Sequence, residues 1–519
     1  MEAGGDGWRG RVGDELSVQT VVRICVAVAA EASSRGATDA LVAYADRPHA
    51  RRLAAAACLA VASVGMPVRL AVRPCSMAAV ACEVARRDDA DGATDGAPDG
   101  AWTVGIMVTA GHYGTDWNGV KVRLGDGGPA PADFLYDVDA RAMTLSDDEV
   151  AAVMREMPGE GAGVVAEAGG DSGAGSGVVA PDDADWDACD GASWRDAAGA
   201  TPADPNATHA ARLRACVDVD AIRAVGLTAV CDVFLGGSPH MAADLLESVG
   251  VRAIQTARRV DGPGATAYAT MGAAAVEACA ELVVTRGASL GILSAADGTR
   301  VALVDEAGDV VPSGIVASLV LRLLCEYRLQ TGSVVTTSPT SRVVRRQAER
   351  LGCSISVVPV GYANLAAETR AGHVLLGVQE TGGIVVPSVS LERDALLAAL
   401  LVCELMARRG MSLRELVAEV VDEVGGSEYG RRDVELDAGT IQIVRNMLPG
   451  INPAELAGLQ PTRVDHTDGL LLEFADGAWV QVRPSSSEPR VRVYAEAPER
   501  DELDRLLAGA CAMLRTQFA

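Results

Sequence analysis

Short apolar runs alternate with longer amphipathic ones along most of the chain, and the alternation restarts twice. ALVAYA (40–45) reads as a buried strand, HARRLAAAACLAVASVG as a helix stopping at Gly65, and PVRLAV as the next strand. Ser146 followed by Glu149 is a capping box, which predicts a helix through Met157. The pattern resumes with LTAVCDV (227–233), VRAIQT, a helix near 270–285, and the strands LGILS and VALVD. It resumes again with a helix near 313–329, then SVVTT, the helix SRVVRRQAERLG, SISVVPV and HVLLGV. Strands separated by helices point to α/β units with largely parallel sheets. The tail differs: TRVDHT, GLLLEFA, AWVQVRP and RVRVYAEA predict an antiparallel sheet closed by a helix from about 499.

Composition changes this picture in two places. Residues 88–100 hold five aspartates and no base, and residues 158–205 hold ten acids against Arg195. Together they carry more than half of the net charge of −25, with few large apolar residues to bury. They read as surface insertions. The expected division is 1–157, the insertion 158–205, then 206–309, 310–426 and 427–519. The remaining chain is still acidic, which argues against nucleic acid as a partner. No apolar run has transmembrane character, and VVRICVAVAA is short and follows an acidic, Gly-rich start. The 12 cysteines form no CxxC pair and read as small buried thiols in a reducing cytoplasm, not as a zinc site or a disulfide frame. Lys121 is the only lysine, so a needed positive charge is expected to appear as arginine.

Candidate chemistry lies in the polar loops that end the units. VTAGHYGTDWNGVKV (108–122) joins two β-rich runs through Ala110, Gly111 and His112, the outline of a catalytic loop. Its slot for a nucleophile holds Gly111, which has no side chain. Thr109 reads as a strand-end residue and His112 as a structural or proton-handling one. SAADGTR (294–300), GVQETGG (377–383) and RPSSSEPRVRVYAE (483–496) are the other three loops. The last combines Arg483, Arg492 and several hydroxyls, a sound phosphate cradle. Asp305 and Glu306 read as turn residues.

These four loops, in this order and on these elements, resemble those of the phosphohexomutases, the phosphoglucomutase and phosphomannomutase family. The resemblance runs from DGWRGRVGDE to RVRVYAEAPER. It implies three α/β domains with mixed, mainly parallel sheets and a C-terminal α+β domain with an antiparallel sheet. In that family a serine in the first loop carries a phosphoryl group to and from a hexose phosphate. Three aspartates and the phosphoserine hold Mg²⁺, the third loop grips sugar hydroxyls, and the fourth grips the non-reacting phosphate.

Carried over residue by residue, the family pattern is broken here. Thr109, Ala110, His112, Asn118, Gly119 and Lys121 fit the first loop, but Gly111 stands at the serine, and Tyr113 and Gly114 replace Asn and Pro. Aligned on Arg300, the metal aspartates fall at Ala295, Asp297 and Thr299, so one carboxylate remains and Mg²⁺ is expected to bind weakly or not at all. Gln379 and Thr381 stand for the sugar-binding Glu and Ser, and Ala363 for a ligand-binding lysine. The fourth loop keeps Arg483, Pro484, Ser485, Glu488, Pro489 and Arg492, with Ser486 for Gly and Ser487 for Thr. Arg9, Asp46 and Arg47 match positions that line the cleft and brace the serine loop. Asp232 matches a strand end, with Leu235 where the family has His.

The damage spares the cores and the phosphate cradle. The favoured reading is a catalytically impaired relative that still binds a hexose phosphate, as a sensor or beside an active partner enzyme. One alternative is a working mutase with another phosphoryl carrier; another is an interaction protein without a ligand. The sugar itself is left open.

Overall fold

Four sheets organise the chain, three where the hydrophobic alternation starts or restarts and one in the tail. The computed structural model describes residues 3–85, 101–111, 113–156, 198–232, 240–256, 271–485 and 490–518. Residues 88–100 and most of 158–205 therefore lie outside the described residues, as do His112, Leu235, Ser486, Ser487, Glu488 and Pro489. The chain divides into two units, Met1–Ala210 and Ala211–Ala519.

The first unit holds β1 (Trp8–Arg11), β2 (Ala37–Tyr44), β3 (Val68–Ala71), β4 (Trp102–Val108), β5 (Trp117–Arg123) and β6 (Thr201–Ala203), in the order β1-β5-β4-β2-β3-β6. β2 runs parallel to β3 and β4, whereas β5 is antiparallel to β4 and β1. β6 is a correction to the insertion expected at 158–205: its last residues pair in parallel with β3. Ser17 opens the helix Val18–Ser34 through a capping box with Thr20. Its apolar face, including Val21, Cys25, Val28 and Ala32, joins one core with the alanine-rich helix Ala50–Ser63, whose small side chains permit close approach. The Ser146–Glu149 capping box is present, and its helix, Asp147–Met154, stops three residues short of the predicted end.

The second unit carries three sheets. β7 (Thr228–Asp232), β8 (Arg252–Thr256), β9 (Leu290–Ser294), β10 (Val301–Val304) and β11 (Val310–Val311) form the first, with β9–β10–β11 antiparallel beside parallel β7, β8 and β9. β12 (Ser333–Thr337), β13 (Ile355–Val358), β14 (Val374–Val378) and β15 (Ile384–Val385) form the second, in the order β13-β12-β14-β15. Helix Ser313–Arg322 passes into a π-helical turn, Leu323–Tyr327, within the single helix predicted at 313–329.

The tail is the expected antiparallel sheet, with one strand more. β16 (Glu428–Glu435), β17 (Arg463–Asp465), β18 (Leu470–Glu473), β19 (Trp479–Pro484) and β20 (Arg490–Ala497) take the order β16-β20-β19-β18-β17. Helix Arg500–Phe518 covers it, burying Leu503, Leu506, Leu507, Ala510 and Leu514 at helical spacing. Three mixed sheets and one antiparallel sheet make the four-domain α/β architecture.

Candidate functional site

In the first unit the loop after β4 is held by side chains that bond its backbone. Gly111 is buried with φ +67°, a left-handed conformation that glycine adopts without a Cβ penalty. Its N–H donates to Thr109 Oγ1 at 3.0 Å, and its carbonyl accepts from Arg47 Nη1 at 2.9 Å. Arg47 Nη2 also donates to the carbonyls of Tyr113 (2.8 Å), Trp117 (3.1 Å) and Gly114. One buried guanidinium thus ties four loop carbonyls. The Tyr113 ring lies 5.0 Å from that of Trp117 and 5.2 Å from the Arg9 guanidinium carbon. Asn118 donates to the Pro48 carbonyl at 3.1 Å and accepts from Gly119 N–H at 3.1 Å. Lys121 Nζ lies 3.1 Å from Asp6 Oδ2, and Arg123 shares the same carboxylate. The lysine expected in the catalytic set is therefore also a buried ion-pair partner.

The loop after β9 is a closed turn. Gly298 N–H donates to the Ala295 carbonyl (2.9 Å), and Ala295 N–H to the Arg300 carbonyl (3.2 Å). Asp297, 1 % exposed, accepts both the N–H (3.2 Å) and the hydroxyl (2.7 Å) of Thr299 on one carboxylate oxygen. The residue expected at one metal position thus occupies the carboxylate expected at another. Ala295 offers no side-chain oxygen. Among the described residues no group of three or more His, Cys, Asp or Glu is placed to hold a metal. Magnesium takes near-octahedral oxygen ligation and gives up water reluctantly, and the residues of this loop do not fit it. Burial of the Arg300 head group holds its pKa down to about 10, against the opposing pull of Glu380.

The loop between β14 and β15 is joined to this one. Val301 N–H donates to the Gly382 carbonyl at 3.0 Å. Gly382 has φ +84°, and a Cβ there would meet Val301 O at 2.4 Å, so glycine permits the approach. Gln379, expected to reach a sugar hydroxyl, is 6 % exposed, and its Oε1 accepts from Arg393 Nη1 at 3.0 Å. Arg393 also bonds Glu392 at 3.0 Å and lies 3.8 Å above the Tyr362 ring. Thr381 is partly exposed. Glu380 accepts the Thr337 hydroxyl at 2.7 Å. Its charge also bears on Arg300, Tyr429 and Tyr494; both tyrosines are raised, by desolvation first and Glu380 second. Glu380 was not singled out in the sequence; the signal was its place as the only carboxylate of GVQETGG.

In the fourth loop Arg483 and Arg492 sit opposite each other on β19 and β20. Arg483 does not stand alone facing a ligand: its Nε donates to Asp468 at 2.7 Å and its Nη2 to the Val360 carbonyl at 3.4 Å. Asp468 also accepts the Ser338 hydroxyl (2.7 Å) and Val360 N–H (2.8 Å), joining the last two sheets. Ser485 is 1 % exposed, with its N–H on the Arg490 carbonyl at 2.9 Å and its own carbonyl accepting from Arg445. Arg492 lies close enough to Arg300 to oppose its charge. Asp305 accepts the N–H groups of Ala307 (3.0 Å) and Asp309 (2.9 Å), a turn role. The position of Asp232 is at the end of β7.

Comparison with known proteins returns the same order of domains. Residues 1–147 match phosphoglucomutase/phosphomannomutase alpha/beta/alpha domain I, residues 312–424 match alpha/beta/alpha domain III, and residues 448–512 match the C-terminal domain. A phosphoglucomutase/phosphomannomutase of Thermococcus kodakarensis is 28% identical over 290 residues, covering 55% of this chain and 60% of that protein. The matched region thus spans less than two thirds of that relative's length. A putative phosphomannomutase of Thermus thermophilus superposes with a TM-score of 0.73 at 21% identity, over 99% of this chain and 100% of that one. An Aspergillus fumigatus N-acetylphosphoglucosamine mutase, solved with GlcNAc-6P and magnesium, superposes with a TM-score of 0.53 at 13% identity, over 100% of this chain and 96% of that one. These likenesses of structure establish the fold, and the three domain matches, carried in order along it, place the chain in the α-D-phosphohexomutase family.

Proposed function

We propose that this chain binds a hexose phosphate and is strongly impaired in phosphoryl transfer. The observation that carries the reading is Gly111: the position of the family nucleophile is a buried glycine in a left-handed turn, held by Arg47. Glycine cannot accept a phosphoryl group. Loss of a covalent nucleophile costs about 10⁶ in rate, or about 8 kcal/mol. The second loop supports the same reading, because Asp297 is the one carboxylate at the family's three metal positions, Ala295 and Thr299 standing at the others, and it accepts the Thr299 hydroxyl.

Retention of ligand is argued from the fourth loop. Arg483, Ser485 and Arg492 remain, and arginine with backbone N–H groups suits phosphate. An Aspergillus relative of the same fold binds GlcNAc-6P, which makes a phosphorylated hexose the first ligand class to test. No helix among the described residues is long and apolar enough to cross a membrane. The acidic charge speaks against nucleic acid, and we place the protein in the cytoplasm.

Calorimetric titration with glucose 1-phosphate, mannose 1-phosphate and glucosamine 6-phosphate tests the binding half. At least one should bind in the micromolar to millimolar range, more tightly than the free sugar. No heat and no melting shift with any of them at several millimolar would leave only an interaction role.

A further inference from the structure

The sulfurs of Cys325 and Cys353 lie 3.6 Å apart although the residues are 28 positions apart in sequence. Cys325 belongs to the π-helical turn Leu323–Tyr327, and Cys353 stands between the helix Arg342–Arg350 and β13. Both are partly exposed, whereas Cys25, Cys58, Cys75, Cys82, Cys231, Cys279, Cys403 and Cys511 are buried. π-Helical turns inside α-helices are uncommon and recur at functional positions. Two thiols in contact, both within reach of a small molecule, are a different arrangement from the inert core cysteines expected of this sequence.

We propose that Cys325 and Cys353 form a modification site, closed to an intramolecular disulfide by exchange with a low-molecular-weight disulfide of the glutathione type. A disulfide requires the sulfurs at about 2.05 Å, so the pair must close by roughly 1.5 Å. The Cys353 thiolate attacks one sulfur of the small disulfide after losing its proton to solvent, and one small thiolate leaves. The Cys325 thiolate then attacks Cys353 Sγ in the mixed disulfide and expels the second small thiolate. Two protein S–H bonds and one small S–S bond are broken; one protein S–S bond and two small thiols are formed. The small disulfide is the oxidant. First attack falls to Cys353 because its neighbours Gly352 and Ser354 are exposed. Burial, Cys353 and Glu326 push the Cys325 thiol up to about 12, which keeps it protonated and out of the first step; the 3.6 Å contact with Cys353 Sγ is what brings it into the second.

The loop so closed contains β12 and the segment that follows it. At the end of β12 Thr337 holds Glu380, and from the following segment Ser338 holds Asp468 and Ser341 with the Arg342 N–H holds Glu496. Closing it restricts the chain at the origin of these contacts.

The test uses the full chain, folded, in oxidised glutathione, followed by non-reducing peptide mapping. The expected result is loss of the mass of two hydrogen atoms and one cross-linked peptide pair joining Cys325 and Cys353. Dithiothreitol should reverse it, Cys353→Ser should abolish it, and Cys216→Ser should leave it unchanged. Protease cleavage between residues 325 and 353 should also slow on oxidation. Glutathione adducts on either cysteine without the cross-link would overturn the proposal. So would both thiols staying reduced after prolonged exposure.

Discussion

The carbonyl of Gly111 and the guanidinium of Arg47 are hydrogen-bonded at 2.9 Å, inside a loop whose tip residue has no side chain. On the reading proposed above, this brace holds a loop without the family's nucleophile. Arg47→Ala should therefore destabilise the first unit by about 2–4 kcal/mol, since it removes charge-assisted bonds from several buried carbonyls. Urea unfolding followed by a probe in that unit measures this. A change below about 0.5 kcal/mol would show that the loop holds itself.

Gly111→Ser should not restore activity. A side chain at φ +67° costs about 1 kcal/mol or more, and the transferring phosphoryl group still lacks charge neutralisation. The variant should melt slightly below wild type and show no turnover in a coupled assay. Enzyme-like turnover by this single change would contradict the account of the second loop.

Magnesium should add little stability to the wild type, and the double variant Ala295→Asp, Thr299→Asp should acquire dependence on it. Two further carboxylates placed beside Asp297, which lies 2.7 Å from the Thr299 hydroxyl, repel it and one another until a cation binds. Melting in EDTA against millimolar Mg²⁺ reads the difference. A shift of many degrees in the wild type, or none in the double variant, would go against this.

Much of this was legible in the sequence. The alternation of runs gave the order of strands and helices because buried strands and amphipathic helices differ in period. Arg47 as a brace of the first loop was readable by position. The tertiary partners were not. Lys121 pairs with Asp6, Gln379 with Arg393, and Arg483 with Asp468, across sequence separations that no local pattern encodes. β6 was hidden because three residues at the end of an acidic segment carry almost no periodicity. The π-helical turn was hidden because it keeps the apolar spacing of the helix before it.

Lys121→Ala should lower stability and leave ligand affinity nearly unchanged, while Arg483→Ala, which also strips Asp468 of its ion-pair partner, should lower both. The first leaves Asp6 with Arg123 as its remaining cation, at a cost of about 1.5–3 kcal/mol. The second removes a charge-assisted contact to phosphate of about 1.5–3 kcal/mol. Paired unfolding and calorimetry on both variants check the split; equal effects on binding would make Lys121 a ligand contact as well as an ion-pair partner.

Acid should weaken the first unit through Glu31. Burial pushes its carboxyl pKa up, but bonds from Arg35 (2.6 Å) and Arg141 (2.5 Å) outweigh this and leave it below the ordinary 4.5. A folded value below the unfolded one means stability that is fully present above about pH 4.5 and lost as pH falls through the folded value. Glu31→Gln should be less stable at pH 7 and lose less between about pH 4.5 and 3. A parallel acid profile in wild type and variant would remove Glu31 from the account.

Turnover is the most direct test of impairment. The purified chain, given glucose 1-phosphate, glucose 1,6-bisphosphate and Mg²⁺, is assayed for glucose 6-phosphate through a coupled dehydrogenase. With the nucleophile absent, a typical range of about 1–10³ s⁻¹ should fall to about 10⁻³ s⁻¹ or below. Turnover at about 1 s⁻¹ or above would contradict the account and require another phosphoryl carrier in place of the residue at Gly111.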